Sequence, residues 1–153
     1  LDEFDDKINN LPQKIIHIKL GRVFNEQINY LSASIIIANL GYDFNQPINN
    51  LSNSITYLTF DCEFNKKVNK LPIKMVRMSF GLHFNQRIDK LPRTITFLSF
   101  SQLFDYPLDN ISDNIQKIIL MREYKHDIPE KLKNKIKYRR TWIKKRRRRN
   151  KNK

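Results

Sequence analysis

The chain has 153 residues, 40% of them hydrophobic, with one cysteine and no apolar run long enough to cross a membrane as a helix. That length fits one domain with a core of ordinary size, and a lone Cys62 excludes an internal disulfide and suits a reducing compartment. The formal net charge of +14 is unevenly spread: residues 1–130 hold all 15 acidic and 15 of the 29 basic residues and so sum to zero, while 131–153 hold the other 14 basic residues and no acid.

Taken in order, the chain falls into six coils that begin at Phe4, Phe24, Phe44, Phe64, Phe84 and Phe104, twenty residues apart. A fixed period of this length is the signature of a stacked repeat. Counting Phe as position 1, position 5 holds Ile8, Ile28, Ile48, Val68, Ile88 and Leu108. Position 8 holds Leu11, Leu31, Leu51, Leu71, Leu91 and Ile111, and position 12 holds Ile15, Ile35, Ile55, Met75, Ile95 and Ile115. Positions 15 and 17 are apolar in every coil, from Ile18 and Leu20 to Ile118 and Leu120. One coil buries too little to offset the entropy of ordering its backbone, so the coils must stack and cover one another.

Positions 12–17 read as a strand. In the third coil Leu58 and Phe60 alternate with Tyr57 and Thr59, the two-residue period of a sheet with one buried face. Equivalent strands then pair in parallel. Gly21, Gly41, Asp61, Gly81 and Ser101 follow the strands and suit a turn. The remainder of each coil is too short and too Asn-rich for a helix, which predicts irregular or short 3₁₀ return segments. Two Asn/Asp columns, at positions 2 and 6, are expected to satisfy backbone groups at the bends; recurrence in every coil favours that role over a ligand or ion site.

The pattern Phe-Asn-x-x-Ile-x-x-Leu-Pro-x-Ser-Ile-x-x-Leu-x-Phe-Gly, with "FNQPI" at 44–48, resembles the FNIP repeat, a relative of the leucine-rich repeat familiar from social amoebae and giant DNA viruses. The likeness extends over about residues 4–128 and departs from the family chiefly at position 4, where Pro stands only at Pro47 and Pro107. It implies a right-handed solenoid used for protein binding. Some members carry an F-box that recruits substrates to ubiquitin ligases; none is visible in this sequence, so that role is not carried over. The fold expected is a leucine-rich-repeat-like solenoid over 1–128, with a parallel sheet of about six short strands.

Strand alternation turns positions 14 and 16 outward. These columns vary: His17 and Lys19, Ile37 and Asn39, Tyr57 and Thr59, Arg77 and Ser79, Phe97 and Ser99, Lys117 and Ile119. One reading is a solvated face with tolerated aromatics. The other is a partner-binding surface centred on Tyr57, Arg77 and Phe97, flanked by His17, Ile37 and Lys117, since Tyr and Arg are enriched in binding hot spots. No catalytic constellation, cofactor loop or metal set is expected: His17, His83 and His126 occupy different repeat positions, and one Cys does not complete a zinc set.

After the sixth coil Tyr124 and Ile128 keep phase, and Pro129-Glu130 resembles a helix start. Leu132, Ile136 and Ile143 share a helical face, which predicts a capping helix over 129–143 that covers the last strand. The run Lys144, Lys145, Arg146, Arg147, Arg148 and Arg149 has no packing role. It predicts a disordered basic tail over 144–153, serving in nuclear import or in salt-sensitive contact with nucleic acid phosphates. At the other end nothing before Phe4 caps residues 15–20, so upstream residues or another chain are expected over that edge. No basic-then-apolar leader opens the sequence, so an intracellular place, cytoplasmic or nuclear, is expected, in the host cell if the protein is viral.

Overall fold

A computed structural model describes residues 8, 11, 14–29 and 31–140. Its seven strands are β1 (His17–Lys19), β2 (Ile37–Leu40), β3 (Tyr57–Phe60), β4 (Arg77–Ser79), β5 (Phe97–Ser99), β6 (Lys117–Met121) and β7 (Ile136–Arg139). They form one parallel sheet in chain order. From β1 to β6 each residue pairs with the one twenty further on, as in Ile18↔Ala38, Ala38↔Leu58 and Leu58↔Met78. The twenty-residue period is therefore the register of the sheet. This is a leucine-rich-repeat-like β-solenoid.

Three kinds of column fill and close the coil. The position-1 rings stack from Phe24 to Phe104 with centroids 6.0–6.4 Å apart, and Tyr124 continues the pile at 6.1 Å. A second pile, Phe60–Phe80–Phe100, runs beside the first and meets it at 3.7–3.9 Å where each coil passes into the next, as in Phe60 on Phe64. Ring pairs at the 6.0–6.4 Å spacing of the first pile add to the gain from burial alone. Between the rings, Ile28, Ile35, Ile48, Ile55, Leu58 and Met75 are fully buried.

Bends close through three-residue backbone links, such as Phe44 N–H to the Gly41 carbonyl and Ile55 N–H to the Ser52 carbonyl. The position-2 column works as a ladder. The side-chain oxygen of Asn25 accepts the backbone N–H of Asn45 at 2.8 Å, and Asn45, Asn65 and Asn85 repeat the link at 3.0 Å to Asn65, Asn85 and Asp105. A matching hydroxyl column sits before the strands, where Ser34 and Ser54 donate to the Ile15 and Ile35 carbonyls at 2.7 Å. The position-6 column, by contrast, is largely exposed and builds no such ladder among the described residues.

The strand-exit glycines adopt no positive φ; what they supply is the absence of a side chain. A Cβ on Gly41 would stand 1.8 Å from the Gly21 carbonyl oxygen, and one on Gly81 would stand 1.7 Å from that of Asp61. Asp61 and Ser101 show that the exit bend itself admits a side chain, so the spacing of particular neighbouring coils sets the requirement.

One expectation is corrected at residues 129–143, where a capping helix is predicted. Residues Glu130–Lys135 form a short 3₁₀ segment and Ile136–Arg139 form β7; 141–143 lie outside the described residues. Leu132 is buried as predicted, but the segment makes a seventh coil two residues shorter than the others, with Ile118 paired to Ile136. A strand satisfies the open backbone groups of β6, which a helix laid across it leaves unpaired. Ile136, Lys137, Tyr138 and Arg139 also alternate, so the helical and strand periods compete over few residues, and ladder hydrogen bonds decide.

Candidate partner-binding face

Parallel register puts the first residues of successive strands side by side: His17↔Ile37↔Tyr57↔Arg77↔Phe97↔Lys117. The structure thus brings all six sequence-selected residues into one row across the sheet. Within it the Arg77 guanidinium lies 4.2 Å from the Phe97 ring centroid and 5.8 Å from that of Tyr57, while Lys117 Nζ sits 5.9 Å from Phe97 on the other side. Tyr57 and Arg77 are exposed, and Phe97 is half-buried. The cations are held over ring faces, an arrangement that orders long side chains at a surface without removing them from water.

The second outward row begins polar, with Asn39 hydrogen-bonded to His17 at 2.9 Å. It does not stay open along its length. Ser99 and Ile119 are buried, where Ile119 stands between Ser99 and Lys137 on the paired strands. Outward direction along a strand thus does not ensure exposure. At the opposite side of the face an open groove of about 620 Å³ is lined by Lys19, Arg22, Asn39, Tyr42, Thr59 and Asp61. Arg22 lies over the Tyr42 ring at 5.0 Å, a further cation–aromatic contact in the first two coils.

At the strand exits the structure assembles a group that inspection of single residues misses. Cys62, Glu63 and His83 bring one donor atom each to within 4.8 Å of one another. His83 Nδ1 is 3.0 Å from Glu63 Oε2. Burial pushes the Cys62 thiol above its usual pKa, against a hydrogen bond with Tyr42 that lowers it. The same hydrogen bond raises the Tyr42 phenol. Glu63 and His83 both occupy position 20 and Cys62 position 19, so columns read at the twenty-residue period carry the signal. Comparing histidines only with one another hides it.

The basic cluster at 144–149 lies outside the described residues. Inside them, β7 exposes Lys137 and Arg139.

The fold and the varied outer row define a leucine-rich-repeat-like parallel solenoid, a class that presents its sheet as an extended surface. Among solved structures the chain is similar to CroV588, described as a circular LRR protein, with a TM-score of 0.74 and 32% identity over 85% of this chain and 21% of that one. The chain therefore spans about a fifth of that protein's length. No protein-family profile and no curated protein matches the chain.

Proposed function

We propose that this chain is a non-enzymatic protein-interaction module of FNIP type, which binds a protein partner through the row His17, Ile37, Tyr57, Arg77, Phe97 and Lys117. The observation that carries the reading is the aromatic–cation series Tyr57–Arg77–Phe97–Lys117, standing in register on a face whose composition the fold does not dictate. Interior columns repeat because the stack demands it; this row changes chemistry at almost every coil. Ordered aromatic and Arg side chains lose little entropy on binding and supply the groups that dominate interface energies. The likeness to a circular LRR protein supports a repeat scaffold and leaves the partner to be identified by experiment.

Replacing Tyr57, Arg77 and Phe97 together by Ser removes the series without touching the core. Loss of exposed cation–aromatic contacts costs about 1–2 kcal/mol of stability, so the variant stays folded. Affinity purification from the native host, with wild type and variant side by side, is expected to lose the partner in the variant. Retention of the same partner at equal yield would place the interface elsewhere.

A second reading rests on the charge distribution: residues 131–140 carry six basic side chains and no acid, and the 144–149 cluster follows after three uncharged residues. Under it, the basic end contacts nucleic acid through phosphates, with affinity that falls steeply with salt. Deleting 144–153 and measuring RNA and DNA binding at two salt concentrations decides it; unchanged affinity rules the tail out.

A further inference from the structure

We propose that Cys62, Glu63 and His83 form a site for a zinc-class transition-metal ion that braces the third coil to the fourth. The three donors are a thiol, a carboxylate and an imidazole, a mixed set that favours Zn²⁺ or its spectroscopic substitute Co²⁺ over hard cations such as Mg²⁺ or Ca²⁺. In a tetrahedral zinc site neighbouring ligand atoms stand roughly 3.3–3.6 Å apart, as follows from metal–ligand bonds near 2.0–2.3 Å. The three atoms already lie within 4.8 Å of each other, and the His83–Glu63 pair stands at 3.0 Å. Small side-chain rotations convert this group to coordination geometry.

The backbone beneath the group is fixed. Glu63 N–H donates to the Tyr42 carbonyl at 3.0 Å, and His83 N–H donates to that of Cys62 at 2.9 Å. The donors therefore rise from bends already tied coil to coil, the condition a preorganised site requires. Cys62 is buried, while Glu63 and His83 are about two-fifths exposed, which leaves the ion a path in and a position for water as fourth ligand. Without metal, the hydrogen between Nδ1 and the carboxylate joins His83 to Glu63. On binding, the ion takes that place: the Nδ1 proton is lost to solvent and, in a neutral imidazole, replaced by one at Nε2, while the thiol proton leaves to solvent, so the ligands are thiolate, carboxylate and neutral imidazole.

Repetition does not account for the group. The other described occupants of its two columns are Arg22, Tyr42, Leu82, Gln102 and Arg122 at position 19, and Val23, Asp43, Leu103 and Glu123 at position 20. Among the described residues these are the His, Cys, Asp and Glu side chains that meet in a group of three or more.

The test is Co²⁺ titration of the full chain under reducing, chelator-free conditions, with Zn²⁺ as competitor and circular dichroism on every variant. The expected result is one equivalent of Co²⁺ with a thiolate-to-cobalt charge-transfer band and tetrahedral visible absorption, both erased by Zn²⁺. Cys62→Ser should abolish the charge-transfer band. His83→Ala and Glu63→Gln should each weaken binding by at least the roughly tenfold that loss of even an outer-shell partner costs. Zn²⁺ should also raise the melting temperature of wild type but not of these variants. If Cys62→Ser fails to fold, the variants at the half-exposed Glu63 and His83 decide alone. Absence of the band in wild type, or an unchanged band and affinity in His83→Ala, overturns the proposal.

Discussion

The inside and the outside of this sheet are built from the same strands under opposite constraints. On the inside, Leu58 has Ala38 and Met78 as its paired neighbours and lies in a wall of similar side chains. Its surroundings are copies of its own coil, so one acceptable solution propagates along the stack. On the outside, Tyr57 has Ile37 and Arg77 as neighbours and water above, and a change there disturbs little else. Constancy in the first set reports packing, whereas variety in the second leaves room for recognition. The bends belong to neither side. They are constant where a side-chain oxygen ties one coil to the backbone of the next, as at position 2, and idiosyncratic where Cys62, Glu63 and His83 meet.

The sharpest way to test this contrast is to cut the interior at its densest point. Phe64 stacks on Phe44, Phe60 and Phe84, so Phe64→Ala should destabilise the protein by about 3–5 kcal/mol. The shift in urea midpoint measures it, and a loss comparable to that of Tyr57→Ala would erase the distinction between faces. Gly81→Ala is next. In an unstrained bend this change stabilises by about 0.4–1 kcal/mol through the unfolded chain, but the Asp61 carbonyl 1.7 Å from the new Cβ reverses the sign. A loss of about 2–4 kcal/mol is expected, and a stabilised variant would show that the coils are not so closely spaced.

A smaller effect separates the two Asn columns. Asn65→Ala strips an acceptor from the Asn85 N–H and from the Gln86 side chain and should cost about 1–2 kcal/mol. Asn69→Ala, on the exposed column, should stay within about 0.5 kcal/mol. Equal losses would mean that both columns hold the bends.

The smallest effect lies at the seventh coil, where Lys131 Nζ meets Asp113 at 3.0 Å and donates to the Ile111 carbonyl at 2.8 Å. Lys131 lowers the Asp113 pKa from 3.8. A carboxyl with its folded pKa depressed adds stability above its unfolded value and loses it as pH falls through the folded one. Stability curves of wild type and Asp113→Asn should therefore differ slightly near neutrality and converge in acid. An unchanged gap at low pH would show that the pair has no part in the pH dependence.

Much of the candidate face was legible beforehand because register and period are one quantity in a parallel stack. Residues 57, 77 and 97 had to be neighbours once the chain coiled every twenty residues, and the distances from Arg77 to the two rings agree. Which outward residues stay exposed was not legible. Ser99 and Ile119 follow the alternation and are nonetheless buried, because burial depends on the surroundings in three dimensions, which a one-dimensional pattern does not encode. The end of the stack was misread for a different reason: Leu132 and Ile136 fit a helical face and a shortened coil equally well.

By itself, then, the sequence determined the coil length, the columns and the pairing of every strand from β1 to β6, because identical spacing allows one in-register parallel stack to bury the apolar positions together. Tertiary structure alone decided that a seventh strand closes on β6, that Gly41 and Gly81 sit where no Cβ fits, and that a thiol, a carboxylate and an imidazole share one bend. These outcomes depend on the approach of one backbone to the next and on the direction of side chains at bends. A period fixes which residues are neighbours, but not how closely or at what angle they meet.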